Sequence, residues 1–483
     1  MADLADALGP GLGSSWQTEA VSIGGLSAGL ARLDFLLNPI RSVERCHQRF
    51  GPVVAFTARG RRGVSIRSLV LIGPGYNREV LTNTEWLRPS GLWSVPGPPG
   101  SAQHAMKFNY VTVSGPEHLA LKNTVVPMLS RQSVAGHFEA IRAITTSCVA
   151  AWPVGERVDL YALARDAGQQ TAFTVLFGDA DLERARAFGE MLADYHHANW
   201  GAGAHLRINI PGLPYERVLS QAEQLRDFVS EWVGEQRGCP ADKDLRAAFT
   251  AHRSTDGSAL APDQLAAHVN FLAFAAYETV SSALTWVLFL LAFHPEVLGD
   301  LADELAAAPP VETISQAQLD GLPLLDGVIK ESLRLIPPTP VLLWRTIRNW
   351  DAGGVRLDKG TRIMLSPHVT HRMPGIYPAP RRFRPERWST LKPTPYEYLP
   401  FGAGPRRCPG YSFATEFLKL GIAAFVPRYR LEASRRPRFD YVYHGIMMPK
   451  AGIAVRLLPQ DRAFAPMAPR GNIRDLVDLD GRS

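Results

Sequence analysis

The stretch Phe401-Gly402-Ala403-Gly404-Pro405-Arg406-Arg407-Cys408-Pro409-Gly410 is the densest chemical signal in the chain. Gly402 and Gly404 permit a tight turn and let backbone approach a ligand closely. Cys408 stands between that turn and a helical stretch opening at Tyr411. Amides at a helix N-terminus favour an anion, and so a thiolate. Arg406 and Arg407 add positive charge beside it. A lone thiolate in such a setting serves as a nucleophile or a metal ligand. A buried structural cysteine in a Gly/Pro loop carries the same local pattern, because free cysteine packs as a small hydrophobe. Taken alone, the segment leaves these readings open.

Three further segments stand upstream. In Ala275-Ala276-Tyr277-Glu278-Thr279, a carboxylate and a hydroxyl interrupt the apolar stretch 269–293. Ser281 and Ser282 can satisfy themselves on the carbonyl four residues back. A carboxylate inside a buried helix needs a stronger reason. In Lys330-Glu331-Ser332-Leu333-Arg334, Glu331 and Arg334 are spaced i, i+3 and share a helix face. As an exposed pair they would contribute little. Arg384-Pro385-Glu386-Arg387-Trp388 follows. In this order, the segments closely resemble four motifs of the cytochrome P450 family. They are the oxygen-activating stretch of a long central helix, the E-x-x-R helix, the P-E-R-F segment and the haem-thiolate signature F-x-x-G-x-x-x-C-x-G. The last is matched at Phe401, Gly404, Cys408 and Gly410. The resemblance runs from about residue 38 to 458.

The resemblance implies a haem b cofactor (iron protoporphyrin IX) with Cys408 as axial ligand. A thiolate pushes electron density onto the iron and favours O–O cleavage. Phe401 would shield the sulfur and nearby amides would hydrogen-bond to it, both tuning the potential. Arg406, Arg345 and the pair His118 and Lys122 would face the haem propionates. Lys122 stands where the family usually has Arg, giving a point charge rather than a fork. His118 and Lys122 read equally as two solvated residues on an exposed helix face. Glu331, Arg334 and Arg387 would form a buried ion network supporting the thiolate loop. Glu278 and Thr279 would be the acid–alcohol pair that delivers protons to dioxygen at the haem. Ala276 replaces the usual glycine of that stretch.

The implied reaction inserts one oxygen atom from O2 into a lipophilic small molecule, such as a fatty acid, terpenoid, steroid or polyketide-like compound. No Gly-rich dinucleotide motif follows Cys408. Electrons are therefore expected from a separate partner, a ferredoxin or flavodoxin with its reductase. Two other readings stand beside this one. The first is a haem-thiolate enzyme that uses peroxide or rearranges a hydroperoxide, against which Glu278 and Thr279 count. The second is an inactive haem- or ligand-binding paralogue, against which Cys408, Glu331, Arg334 and Thr279 count.

Composition sets the frame. The 483 residues are 46% hydrophobic and 20% charged, enough to bury a core and a cofactor and too apolar for global disorder. A net charge of +6 is too weak a signal to argue nucleic acid. Only eight of the 52 basic residues are lysine. Cys46, Cys148, Cys239 and Cys408 are widely spaced, without a zinc pattern or a disulfide framework, so a reducing compartment is expected. Residues 1–30 contain Asp3, Asp6 and Glu19 and no apolar core after a basic start, which argues against an export signal or an N-terminal anchor. The uncharged run 280–293 is short for a bilayer, and Glu278 would be costly in one. Stretch 269–293 is read as the buried helix of a cytoplasmic enzyme with no transmembrane anchor.

The fold class expected is mainly α with a minor β part: one large helical domain with small β-sheets. The resemblance places the haem between the long central helix and the Cys-loop helix. Residues 1–35 read as a loosely ordered segment, 36–460 as the P450-like domain and 461–483 as a tail. Strands are expected at 53–57 and 63–73, an irregular loop at 84–113, and mostly helix from 116 to 297 with a break at 208–214. A helix at 324–335 ends before Pro337-Pro338. The pocket would draw on loop 84–113, link 208–214, the central helix, 338–343 and 444–448. Ala275, Leu342, Leu343, Ile446 and Met447 are its candidate wall, or equally plain core. Such a wall implies a lipophilic substrate. Arg406, Arg407, Lys419 and Lys122 are candidates for a basic face that steers an acidic redox partner.

Overall fold

The computed structural model describes residues 20–24, 34–35, 38–60, 63–90, 95–178, 181–235, 240, 244–352, 355–434, 437–463 and 469–479. Cys239, most of 1–35 and parts of the stretch after 463 lie outside the described residues. The chain groups into two compact units. One comprises 1–92, 339–381 and 392–408; the other comprises 93–338, 382–391 and 409–483.

The first unit is built on a six-stranded sheet in the order β1-β2-β3-β9-β6-β4. The strands are β1 (Ala20–Ile23), β2 (Val53–Gly60), β3 (Gly63–Leu71), β4 (Leu87–Pro89), β6 (Leu342–Thr346) and β9 (Arg362–Leu365). A small hairpin pairs β7 (Trp350–Ala352) with β8 (Val355–Leu357). The two-residue period of the strands sorts their apolar side chains onto two faces. Val53, Ala55, Leu69, Leu71, Ile363 and Leu365 join one buried cluster. Val54, Val70 and Ile72 join another with Ile23, Val43 and Val369. Helix α1 (Pro39–Phe50) contributes Val43 to the second cluster, and α2 (Pro74–Thr82) contributes Val80 and Leu81 to the first. The loop expected at 84–113 therefore contains a strand. Leu87 is fully buried and pulls β4 into antiparallel pairing with β6.

The second unit is helical. Its named helices are α3 (Gly115–Val125), α4 (Phe138–Ala150), α5 (Leu160–Phe177), α6 (Leu182–Trp200), α7 (Pro214–Gly234), α8 (Pro262–Phe293), α9 (Pro323–Leu335) and α10 (Tyr411–Phe425). A three-stranded sheet joins β5 (Arg157–Asp159), β10 (Tyr429–Glu432) and β13 (Ala454–Pro459), and a hairpin joins β11 (Tyr441–Tyr443) to β12 (Met447–Pro449). Helix α8 is apolar around most of its circumference, which suits a buried helix. It packs against α5, α7 and α10, and its most apolar window is 83% buried. Glycine sets how closely α5 approaches. A Cβ on Gly168 would meet Ser281 Oγ and lie 3.3 Å from Tyr277 O.

Helix α9 presents the most heavily bonded carboxylate among the described residues. Glu331 and Arg334 are fully buried and Arg387 nearly so. Arg334 donates to Glu331 from Nε at 2.9 Å and from a terminal nitrogen at 2.8 Å. Arg387 Nε donates at 2.9 Å, Trp388 Nε1 at 3.0 Å and the Arg384 amide at 3.0 Å. Gly327, one turn before Glu331, makes this possible. A Cβ there would sit 2.7 Å from Pro385 O. Removing the carboxylate leaves two buried guanidinium groups without a countercharge. Glu331→Ala should lose about 3–5 kcal/mol of stability, as expected for a buried pair broken from one side. Urea denaturation checks this, and a change within about 1 kcal/mol, the range of exposed pairs, would contradict it.

Candidate active site

In the first unit, the cysteine loop is tied to the sheet core before it reaches Cys408. Leu399 and Ala403 pack in the same buried cluster as Leu69 and Leu365. The Leu399 amide donates to His371 Nε2 at 2.8 Å. Gly402 and Gly404 both adopt positive φ, at 65° and 70°. At Gly404 a side chain is excluded a second time, because a Cβ would run into Leu81 O. The loop then makes a single helical turn over Gly404–Arg406 and closes with the Cys408 amide donating to Phe401 O at 2.9 Å. Phe401 and Arg406 are half-buried, whereas Arg407 and Cys408 are exposed. Among the described cysteines, burial pushes the Cys46 and Cys148 thiols up to about 11. Neither is suited to act as a thiolate. Cys408 is the exposed one and is in no disulfide.

Beside this loop's own sheet lies a row of cations. Register pairs Arg88 on β4 with Arg345 on β6, and Arg345 with Arg362 on β9. Directly paired residues project from the same face, so three guanidinium groups stand side by side. Burial, then Arg362 and Arg88, push the Arg345 pKa down. None of the three meets a carboxylate among the described residues. Sequence reasoning named Arg345 alone. Arg88 and Arg362 emerge only from strand register.

In the second unit, Glu278 is buried on α8 and is held by α5. Tyr161 donates to one carboxylate oxygen. Arg165 Nε lies 3.3 Å from the other. Tyr161, Arg165 and Gly168 are spaced i, i+4, i+7, so one face of α5 carries both ligands of the acid and the glycine that admits α8. Burial raises the Glu278 pKa, while Arg165 and Tyr161 pull it down. Burial, with Glu278 adding to it, raises the Tyr161 pKa well above normal. Tyr277, the next residue on α8, donates to Gly189 O at 3.2 Å. Thr279 donates to Ala275 O at 2.7 Å and Ser281 to Tyr277 O at 2.6 Å. Ser282 departs from the four-back pattern and donates to Met447 O at 2.5 Å. Tyr161 and Arg165 were invisible to sequence reasoning, because 117 residues separate Tyr161 from Glu278.

The remaining candidates fall as follows. Phe271, Ala275, Ala276 and Thr279 are partly accessible along an otherwise buried stretch of α8. Leu342 and Leu343 are also partly accessible, in the first unit. Ile446 is 6% exposed and Met447 is fully buried. Link 208–214, expected at a pocket wall, is exposed throughout. Its proline and glycine hold it out of any packed layer, with Ile208, Ile210 and Leu213 in solvent. His118 and Lys122 are half-buried on α3, and His118 meets Tyr110 at 5.6 Å between rings. Lys419 does not belong to a basic face. It is 6% exposed and paired with Asp320 at 2.5 Å.

These residues fit an anionic, thiolate-ligated macrocycle. The loop offers an exposed cysteine above a backbone that tolerates close approach, and the cation row suits carboxylates of propionate type. Comparison with known proteins agrees. The cytochrome P450 family model matches residues 37–457. Cytochrome P450 139 of Mycobacterium tuberculosis is 27% identical over 403 residues, covering 80% of this chain and 91% of that one. The cyclooctat-9-en-7-ol 5-monooxygenase of Streptomyces melanosporofaciens is 26% identical over 374 residues, covering 76% and 80%. The structure of retinoic acid bound cyanobacterial CYP120A1 superposes with a TM-score of 0.74 at 21% identity, covering 88% of this chain and 96% of that one. The chain belongs to the cytochrome P450 family, and is a monooxygenase whose cofactor is cysteine-ligated haem b.

Proposed function

We propose that this monooxygenase oxidises a lipophilic small molecule, with Cys408 as the haem ligand and electrons from a separate redox protein in the cytoplasm. The observation that carries the ligand assignment is the exposed Cys408 on its glycine-shaped loop, with the two other described cysteines held as buried thiols. The haem, when bound, supplies the oxygen-activating chemistry, which thiolate ligation directs towards O–O cleavage. Arg345, with Arg88 and Arg362, would hold the propionates, and the family resemblance gives Arg406, His118 and Lys122 the same role. Phe401 excludes water from the sulfur. The partly accessible face of α8, with Ala275, supports an apolar wall in the second unit; Leu342 and Leu343 are accessible in the first unit, whereas Ile446 and Met447 are buried as core. Arg406 and Arg407 support docking of an acidic ferredoxin or flavodoxin. The relative from Streptomyces melanosporofaciens, whose name gives a lipophilic alcohol as substrate, supports the same substrate class.

Proton supply falls to Glu278 and Thr279. Thr279 already spends its hydroxyl hydrogen on Ala275 O, so it presents lone pairs rather than a donor until that bond turns. Glu278 holds its proton or charge under the control of Tyr161 and Arg165.

Two measurements test this reading. The reduced protein with carbon monoxide should show the strongly red-shifted Soret band of thiolate ligation, and Cys408→Ala should abolish it. A histidine-type band, or an unchanged spectrum in the variant, rejects Cys408 as ligand. For proton supply, Tyr161→Phe removes a contact that lowers the Glu278 pKa. The Glu278 pKa then rises further, and the pH dependence of product formation that belongs to Glu278 moves to higher pH. Glu278→Gln should remove that limb. An unshifted profile in Tyr161→Phe would show that Glu278 does not control the proton.

A further inference from the structure

Helix α6 carries a polar side chain whose hydrogen-bonding atoms have no task in the fold. His196 stacks on Phe274 of α8 with ring centroids 3.5 Å apart and planes within 18°. Stacking engages the faces of the imidazole. Its two nitrogens lie on the ring edge, and neither hydrogen-bonds to a described residue. Three other histidines hydrogen-bond within the fold, whereas His368 leaves both ring nitrogens and His268 one without a hydrogen bond. His371 accepts from the Leu399 amide, His252 bonds Thr124 and His294 bonds Leu290 O.

The surroundings of His196 are interior. The ring keeps part of its surface accessible, yet desolvation pushes its pKa down to about 3. Burial of that degree and the stack on Phe274 of the buried helix α8 both put the ring on the interior side of α6. The neighbouring face of α8 has the same character. Phe271, Ala275 and Thr279, spaced i, i+4, i+8, are partly accessible on a helix whose other residues here are largely buried. One turn beyond His196, Trp200 stacks on His444 at 5.1 Å and 18°. That contact brings the 444–446 turn, with Ile446, against the end of α6. Helices α6 and α8 and this turn thus converge around an apolar surface carrying one unengaged imidazole.

We propose that His196 is the polar subsite of the substrate cavity, and that it receives a hydroxyl or ketone oxygen on an otherwise apolar, uncharged substrate. The proposal rests on the monooxygenase reading above and narrows its substrate. A neutral imidazole has one donor and one acceptor, which matches a hydroxyl in both directions and a ketone in one. Among the described residues, no charged group acts on His196. A carboxylate placed there would be buried without a countercharge. That argues against fatty acids and in favour of uncharged alcohols and ketones. A substrate lacking the oxygen leaves the imidazole dry and unpaired, a site architecture that discriminates strongly. His196 would act on binding and orientation, as a specificity-determining residue, not on the chemical step.

The test is spectral binding to the haem-loaded protein, read as the spin-state shift of the Soret band. The probes are cyclododecanol, cyclododecanone, cyclododecane and dodecanoate. His196→Phe keeps the stack and removes both nitrogens, whereas His196→Gln keeps a donor and an acceptor. The expected result is that His196→Phe weakens cyclododecanol binding roughly tenfold, the worth of one hydrogen bond in a dry site. Cyclododecane should change by less than about twofold, since no hydrogen bond is lost with it. His196→Gln should recover part of the loss, and dodecanoate should be the weakest ligand of the wild type. Equal changes for alcohol and hydrocarbon in His196→Phe would overturn the subsite while leaving the apolar cavity standing. If no probe shifts the spectrum of a protein that gives the thiolate carbon monoxide band, the wall of α6 and α8 is not the substrate cavity. That result would overturn both the pocket reading and the subsite.

Discussion

One buried carboxylate organises the lower-level structure on which the rest depends. Glu331 receives five hydrogen bonds from Arg334, Arg387, Trp388 and the Arg384 amide, with no exposure to solvent. Desolvating a charge is costly, and the cost is met only where every lone pair is used. That requirement fixes α9 and the 384–388 turn as one piece. Gly327 is part of the same demand, because the turn's carbonyl occupies the space a side chain would need. Burial pushes the Arg387 pKa down, against the pull of Glu331. The piece is thus held together by charge that is expensive to separate. The chain leaves this segment at residue 391 and enters the 392–408 stretch that ends in Cys408. Within the first unit, the Leu399 and Ala403 anchors restrict the loop that presents the thiol.

A second constraint concerns helix approach. Tyr161, Arg165 and Gly168 form one stripe of α5, and Tyr277, Glu278 and Ser281 lie opposite on α8. Small size at Gly168 brings the backbones close enough for Tyr161 and Arg165 to reach an acid that would otherwise be stranded in an apolar helix. Packing and proton control are therefore the same contact seen at two positions. A longer side chain at position 168 would separate the helices and release the acid together. This coupling explains how a carboxylate persists in so apolar a helix.

Much of this was legible in sequence, for physical reasons that differ by residue. Cys408 and its glycines are local, since a turn, a thiol and a helix start all fall within ten positions, while the exposure of the thiol is shown only by the fold. Glu331 and Arg334 share a helix face by spacing alone. Strands β2 and β3 announce themselves by β-branched residues at a two-residue period. What escaped was set by contacts far apart in sequence. Arg88 and Arg362 join Arg345 only through strand register. Tyr161 reaches Glu278 across 117 positions. Strand β4 was hidden in a Pro- and Gly-rich stretch because one buried leucine, Leu87, outweighs the local loop signal. Link 208–214 misled in the opposite direction. The link reads as part of the pocket, yet its residues are exposed throughout.

Polar groups in the interior of the helical unit separate into two kinds. Some are saturated by the fold: Glu331 by its five donors, Ser281 by the carbonyl four residues back, and Tyr277 by Gly189. They explain themselves as structure, and nothing further needs to bind them. Others retain bonding capacity after the fold is complete. Glu278 has one oxygen held by Tyr161 and the other only by an ion pair at 3.3 Å. His196 has both ring nitrogens unengaged. Unmet capacity in a dry interior costs stability, so a stable fold carries little of it without return. In this unit the acid of α8 and an imidazole stacked one helical turn away, on Phe274, are two such groups, alongside Thr146, Asp244, His268 and Asn270. Glu278 and His196 both lie at the central helix, where the proposed proton supply and the proposed substrate subsite meet.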